Sequence, residues 1–247
     1  MVDFNEISGP LKGLKILDLG LAGAGPIGPT LLAELGAEVI KLEPPEGGNI
    51  FRRLPPLFNG QSLWFPTEGR HKKSLTVDLH AEKGQKIVKD LIRHCDVVLE
   101  NFRPGTMERW NMGWEELRKI KGDLIMVRVS GFGQEGPYKN RTSYDTMGAS
   151  MGGVIHLTGH PDDPPTLIQL ALCDYISAAF NALATLLAIH YKNKTGKGQW
   201  AEITQYEAIF RLAEWTVAAY DKLGMVRGRC GNRHPSIAPQ DLYPDAC

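Results

Sequence analysis

The chain has 247 residues, 43% of them hydrophobic and 8% aromatic, with 28 Lys+Arg balanced by 28 Asp+Glu. That composition suits one large globular α/β domain or two smaller ones, and the zero net charge supplies no general pull toward nucleic acid or an anionic membrane. No apolar run is expected to reach the ~20 residues of a membrane helix, and Met1-Val-Asp-Phe-Asn-Glu6 has neither the basic start nor the apolar core of a signal peptide, so the expected location is cytoplasmic.

In chain order, Leu14-Lys-Ile-Leu-Asp-Leu-Gly20 reads as a buried strand, Pro26 to Leu35 as a helix and Ala37 to Glu43 as the next strand, a βαβ unit. A Pro- and Gly-rich loop covers Pro44 to Phe65. Ser74 to Asp78 is strand-like, Ala81 to Cys95 helical, Asp96 to Glu100 a strand, Trp114 to Lys121 a helix and Leu124 to Ser130 a strand. This alternation predicts a parallel sheet with helices on both faces. In the second half, Ser143 to Leu157 reads as a close-packed helix, Gly159 to Pro165 as a turn and Thr166 to Leu172 as an apolar extended run. Asp174 to Tyr191 then reads as a strong helix, Gln199 to Ile203 as a strand and Tyr206 to Leu223 as a helix. The chain therefore divides into residues 1–223, a ligand-binding domain, and residues 224–247, an aperiodic linker.

Several residue patterns could carry chemistry. Gly23-Ala-Gly-Pro-Ile-Gly28 satisfies GxGxxG between a strand and a helix, with Glu43 ending the second strand. A Gly-rich turn at a helix N-terminus binds any pyrophosphate, so NAD(P), another ADP-containing ligand such as CoA, and a tight structural turn all remain open. Arg70-His-Lys-Lys-Ser74 and Asn101-Phe-Arg-Pro-Gly105 are either solvated loops or, with Arg109, the cations for a phosphorylated adenosine and a pyrophosphate. Asp174 stands where a helix begins. It is either an N-cap or a nucleophile that the helix dipole keeps ionised. Ser130-Gly-Phe-Gly133 lacks the GxSxG elbow of a serine hydrolase. His156 and His160 are four apart, but Gly159 and Pro161 break the helix that would align them as ligands; His156 reads as a core residue or a neighbour of the site. Cys95, Cys173, Cys230 and Cys247 have no metal-ligand spacing, so reduced thiols and no metal site are expected.

A longer series of segments runs from Leu11-Lys-Gly-Leu-Lys-Ile-Leu-Asp-Leu19 through Ala24-Gly-Pro26 and Leu35 to Glu43. It continues with Lys72-Lys-Ser-Leu-Thr-Val-Asp-Leu79, Glu100-Asn-Phe-Arg-Pro-Gly105, Ser130 to Pro137, Ser143-Tyr-Asp145 and Lys194-Thr-Gly-Lys-Gly-Gln199. This order resembles the class III CoA-transferases, which include formyl-CoA:oxalate, carnitine and bile-acid CoA-transferases. The resemblance implies a Rossmann-like, doubly wound parallel sheet that binds CoA, and a catalytic aspartate at Asp174. Asp174 would attack an acyl-CoA donor, and CoA would pass to a carboxylic acid acceptor through aspartyl anhydride and aspartyl-CoA thioester intermediates, with no prosthetic group. CoA contacts are implied at Gly23, Ala24, Val77, Asp78, Leu79, His80, Asn101, Phe102, Arg103, Arg109, Thr142 and Tyr144.

Two departures separate the chain from the oxalate enzyme, which has a cation at the place of Pro44 and a glutamine at that of Gly23. The related α-methylacyl-CoA racemases use a histidine where Tyr144 precedes Asp145, and a tyrosine with an ordinary pKa near ~10 is a poor base. Family members continue into a small domain and form interlocked homodimers. A chain of this length is expected to lack that domain, and to act as a dimer, with a complementing chain, or as an inactive CoA-binding fragment or subunit. An NAD(P) oxidoreductase built on Gly23 to Gly28 and Glu43 is the alternative outside the family.

Overall fold

In a computed structural model, residues 8–243 are described; the leader reading of Met1 to Glu6 and the Cys247 thiol lie outside them. In chain order the elements are β1 (Lys15–Asp18), α1 (Ala24–Glu34), β2 (Glu38–Glu43), the hairpin strands β3 (Leu57–Phe58) and β4 (Gln61–Ser62), α2 (Trp64–Glu68), β5 (Lys72–Thr76) and α3 (Glu82–Ile92). They continue with β6 (Val97–Glu100), α4 (Thr106–Arg109), α5 (Trp114–Ile120), β7 (Ile125–Ser130), α6 (Asp145–Met151), α7 (Val154–Leu157), α8 (Leu172–Thr195), β8 (Gln199–Thr204), α9 (Gln205–Phe210) and α10 (Thr216–Leu223).

β5-β2-β1-β6-β7-β8 form a six-stranded sheet, and every pairing in it is parallel. Counting only these strands, the order is 3-2-1-4-5-6, the doubly wound Rossmann arrangement. Strand side chains alternate between two cores, as a period of two requires. Ile16, Val39, Val97, Leu99, Ile125 and Val127 pack with Leu32 of α1 and with Ala182 and Ala188 of α8. Leu17, Leu42, Val98 and Met126 pack on the opposite face with Val88 and Ile92 of α3, Met107 of α4 and Leu117 of α5. The expected fold class is therefore present.

Local departures from the sequence reading have local causes. The helix expected over 143–157 is two short helices, because Gly153 adopts φ 83° between them. The helix expected over 206–223 breaks at Glu214, which adopts φ 53°. Thr166 to Leu172 pairs with no strand, and α8 begins inside it at Leu172. α8 also overtakes the expectation that no segment is long and apolar enough to cross a membrane. Its 24 residues pass by length and composition, with a window of mean hydropathy 1.6, yet one of its faces is packed into the core against α1. Past Leu223, the described residues hold only an isolated bridge between His234 and Ile237. Arg229 ties that segment to the carbonyls of His156 and His160.

α1 carries Pro29 in its interior. Proline has no N–H to give the carbonyl four residues earlier, Gly25. Asn181 of α8 supplies the missing donor, its Nδ2 lying 3.0 Å from the Gly25 oxygen and 3.2 Å from that of Ala24.

Candidate active site

The strand order reverses between β1 and β6, and doubly wound sheets bind ligands outside the carboxyl ends of the strands at that point. A cleft of about 640 Å³ opens there. Its walls are the β1–α1 loop, the β6–α4 loop, the segment after β7 and the first turn of α8. Gly23, Ala24, His80, Asn101, Phe102, Arg103, Arg109, Thr142, Tyr144 and Asp174 all line it. Val77, Asp78 and Leu79 do not. Val77 is buried in the core, Leu79 packs on the same cluster, and the Asp78 carboxylate accepts the His80 N–H at 2.9 Å, so these three support His80 from behind.

Asp174 is the third residue of α8, whose N-cap is Ala171, so it is not the capping residue. Its Oδ1 accepts from Gln205 Nε2 at 2.6 Å, and its own N–H donates to Asp145 Oδ1 at 2.9 Å. Asp145 thus satisfies a free N–H at the start of α8 from another helix. The dipole does not keep the Asp174 carboxyl at its ordinary pKa. Burial and the neighbouring Asp145 charge push it up to about 6, against the pull of the Ala24 N–H and the Gln205 amide. The result is a carboxylate that is mostly ionised at neutral pH and held largely out of water.

Each glycine of the GxGxxG motif makes room for a polar side chain. A Cβ on Gly23 would lie 2.5 Å from Asp174 Oδ2, one on Gly25 2.6 Å from Asn101 and one on Gly28 2.5 Å from Asn181. The N-terminus of α1 therefore already faces a carboxylate. A dinucleotide pyrophosphate arriving there would meet like charge. Glu43, the residue a ribose would need, is committed as well. It accepts from Arg52 at 2.6 and 2.7 Å, from Ser74 at 2.6 Å and from the Asn49 N–H at 2.8 Å. Burial alone would raise its pKa, but these donors outweigh it and hold the carboxyl at about 2.

The basic run 70–74 spends its charge elsewhere. Arg70 pairs with Glu34, Lys73 with Glu38 at 3.0 Å, and Lys72, with Lys41, neutralises the buried Asp18. Cations do line the cleft: Arg103, Arg109, Lys139 and Arg141, none of them in a salt bridge among the described residues. Arg103 donates to Thr142 at 3.0 Å. Asn101 braces the β1–α1 loop, accepting the Leu21 N–H and donating to the Ala22 carbonyl. Phe102 and His80 both meet Trp110 edge-on, at 5.1 and 5.2 Å between centroids. Below this loop Glu100 accepts the Phe102 N–H at 2.7 Å and the Arg128 guanidinium at 2.8 Å; burial pushes its carboxyl up to about 7.

Trp110, Lys139, Arg141 and Gln205 are cleft residues that sequence reasoning missed. The two cations just after the Gly136-Pro137 turn were a usable signal, whereas Gln205 has none in the local sequence. His156 is exposed and lies outside the cleft. Among the described residues, no group of His, Cys, Asp and Glu has the geometry to hold a metal ion.

The model of CoA-transferase family III matches residues 11–246. The chain belongs to that family. This CoA-transferase family III chain is 46% identical over 238 residues to succinyl-CoA--D-citramalate CoA-transferase of Chloroflexus aurantiacus, covering 96% of this chain and 59% of that protein. It is 39% identical to the succinyl-CoA--L-malate CoA-transferase beta subunit of the same organism, over 93% of this chain and 57% of the other. It superposes on the crystal structure of a CAIB/BAIF family protein from Brucella suis with a TM-score of 0.89 at 35% identity, covering 94% of this chain and 63% of that one. The chain thus spans about three fifths of the length of these relatives.

Proposed function

We propose that the protein moves CoA from an acyl-CoA donor to a carboxylic acid, with Asp174 as the nucleophile. The observation that carries this reading is a largely desolvated carboxylate, held by the Gln205 amide, in the wall of a cleft that Arg103, Arg109, Lys139 and Arg141 also line. A carboxylate in that state is a better nucleophile than one fully hydrated. Arg103 and Arg109 suit the phosphates of CoA, and Phe102, Trp110 and His80 offer faces and edges to an adenine. Asp174 attacks the donor thioester carbonyl, its C–S bond breaks, and an aspartyl anhydride and CoA thiolate result. The thiolate then attacks the aspartyl carbon and expels the donor acid, and the resulting aspartyl-CoA thioester is opened by the acceptor acid. Attack of the thiolate on the second anhydride releases the new acyl-CoA and restores Asp174.

The relatives named for succinyl-CoA, citramalate and malate make a succinyl donor and a small dicarboxylic acceptor the first pair to test. Lys139 and Arg141 supply charge for a distal carboxylate. Assembly as a homodimer or with a complementing chain belongs to the same proposal.

Incubation with succinyl-CoA and hydroxylamine, followed by mass spectrometry of the peptide carrying Asp174, tests the reading. A hydroxamate at Asp174 that disappears in Asp174→Ala supports it. No adduct from any donor, with CoA binding intact, overturns it.

A further inference from the structure

Gln205 is buried, opens α9 directly after β8, and points its amide into the cleft. Its Nε2 lies 2.6 Å from Asp174 Oδ1, while its backbone carbonyl accepts the Cys173 thiol at 3.4 Å. Asp174 and Gln205 are thus held together by a backbone contact at the neighbouring residue as well as by the side-chain bond. Oδ2 is the oxygen nearer Gly23, since a Cβ placed there would lie 2.5 Å from it and 3.0 Å from Oδ1, and the Ala24 N–H also donates to the carboxylate. The two oxygens of the carboxylate are therefore not equivalent.

We propose that Gln205 selects which oxygen of Asp174 reacts, and then donates to the oxyanion formed when Asp174's own acyl carbon is attacked. This rests on the reading of Asp174 as nucleophile. With Oδ1 held by the amide, Oδ2 forms the bond to the donor acyl carbon as the C–S bond breaks and the thiolate leaves with its electron pair. Next the thiolate adds to Asp174 Cγ. A C–S bond forms and the electrons of the Cγ–Oδ1 double bond move onto Oδ1. As they return, the Cγ–Oδ2 bond breaks and the donor leaves as a carboxylate. When the acceptor carboxylate displaces the thiolate from the same carbon, charge passes through Oδ1 again. No proton is gained or lost. An N–H already aimed at Oδ1 costs no reorganisation at either moment.

The test uses Gln205→Leu, which removes the donor, and Gln205→Glu, which keeps the side-chain size but cannot donate once ionised. Loss of one oxyanion donor lowers kcat by about 10²–10³-fold. We expect that loss in both variants at pH 8, with CoA affinity within about threefold of wild type by calorimetry. With donor alone, before any acceptor is added, rapid quench and intact-mass measurement should find the aspartyl-CoA adduct depleted and the preceding acyl adduct enriched, because thiolate attack at Cγ is slowed while attack by Oδ2 is not. The acid limb of the pH–rate profile should move upward in Gln205→Leu, since a donor to the carboxylate is lost while Asp145, Cys173 and Tyr175 beside Asp174, and His80, Arg103, Arg109, Lys139, Arg141 and Tyr144 in the cleft, are unchanged. Turnover within threefold of wild type with a wild-type adduct distribution overturns the role of Gln205 alone. Parallel loss of CoA affinity and every adduct in both variants also overturns it, by making Gln205 structural. Absence of any Asp174 adduct in the wild type overturns the CoA-transferase reading itself.

Discussion

Replacing Gly23 by alanine tests the central geometry with a single methyl group. The new Cβ would stand 2.5 Å from Asp174 Oδ2, 2.9 Å from Cγ and 3.0 Å from Oδ1. Ordinary contact begins near 3.4 Å, so the carboxylate has to retreat by about 0.9 Å. A displacement of about 1 Å in a reacting group costs on the order of 10²-fold in rate. Gly23 also adopts φ 61° and ψ −134°, a conformation strained by roughly 1–3 kcal/mol for a residue with a Cβ. The expected outcome is a kcat for acyl transfer lowered about 10²-fold, measured by chromatographic assay of the product thioester. Tm should fall by about 2–4 °C for each kcal/mol lost. Gly224→Ala is the control: its φ is 63°, but nothing lies within 4 Å of the added Cβ. It should lose stability and keep its rate. A Gly23→Ala protein with wild-type kcat would refute the placement of Asp174 against this loop.

Three further outcomes are expected. Because the Asp174 carboxyl is pushed up to about 6 in the folded state, above its ordinary value of 3.8, the folded state loses stability as pH rises through that interval; Asp174→Asn should be inactive yet more stable than wild type above pH 6. The gain should vanish below about pH 4, which urea melts at the two pH values would detect. Glu43, held at about 2 by its donors, contributes stability that is present at neutral pH and lost as pH falls from about 4.5 toward 2; Glu43→Gln should be destabilised at pH 7 and match wild type at the acid end. Neither protein should be retained on immobilised NAD. Asn181→Leu strands the Gly25 carbonyl and crowds Gly28, and should cost about 1–3 kcal/mol by chemical denaturation, with the α1–α8 contact loosened in hydrogen exchange.

Much of the architecture was legible because period and punctuation agree along the first half. Leu14 to Gly20, Ala37 to Glu43 and Leu124 to Ser130 are short apolar runs ended by turn residues, and each became a strand of the parallel sheet. The second half was less legible because its breaks depend on single backbone angles, at Gly153 and Glu214, that no spacing encodes. Within the cleft, the order of motifs led to Asp174, Phe102, Arg103 and Arg109, while the run at Arg70 to Ser74 could be read either way. A basic cluster reads the same whether its partners are phosphates or carboxylates brought from elsewhere in the chain.

The amino-acid sequence by itself determined the doubly wound class and the family, and pointed to Asp174 as the candidate nucleophile, because hydrophobic periodicity and ordered motifs are local properties of a chain. What only the tertiary structure decided is the use made of the glycine-rich turn. Gly23, Gly25 and Gly28 leave space for Asp174, Asn101 and Asn181, which lie 73 or more positions away in sequence. That close approach, with the burial and like charge that raise the Asp174 pKa, exists only once α8 has docked on α1, and it turns a motif open to any pyrophosphate into the seat of a carboxylate.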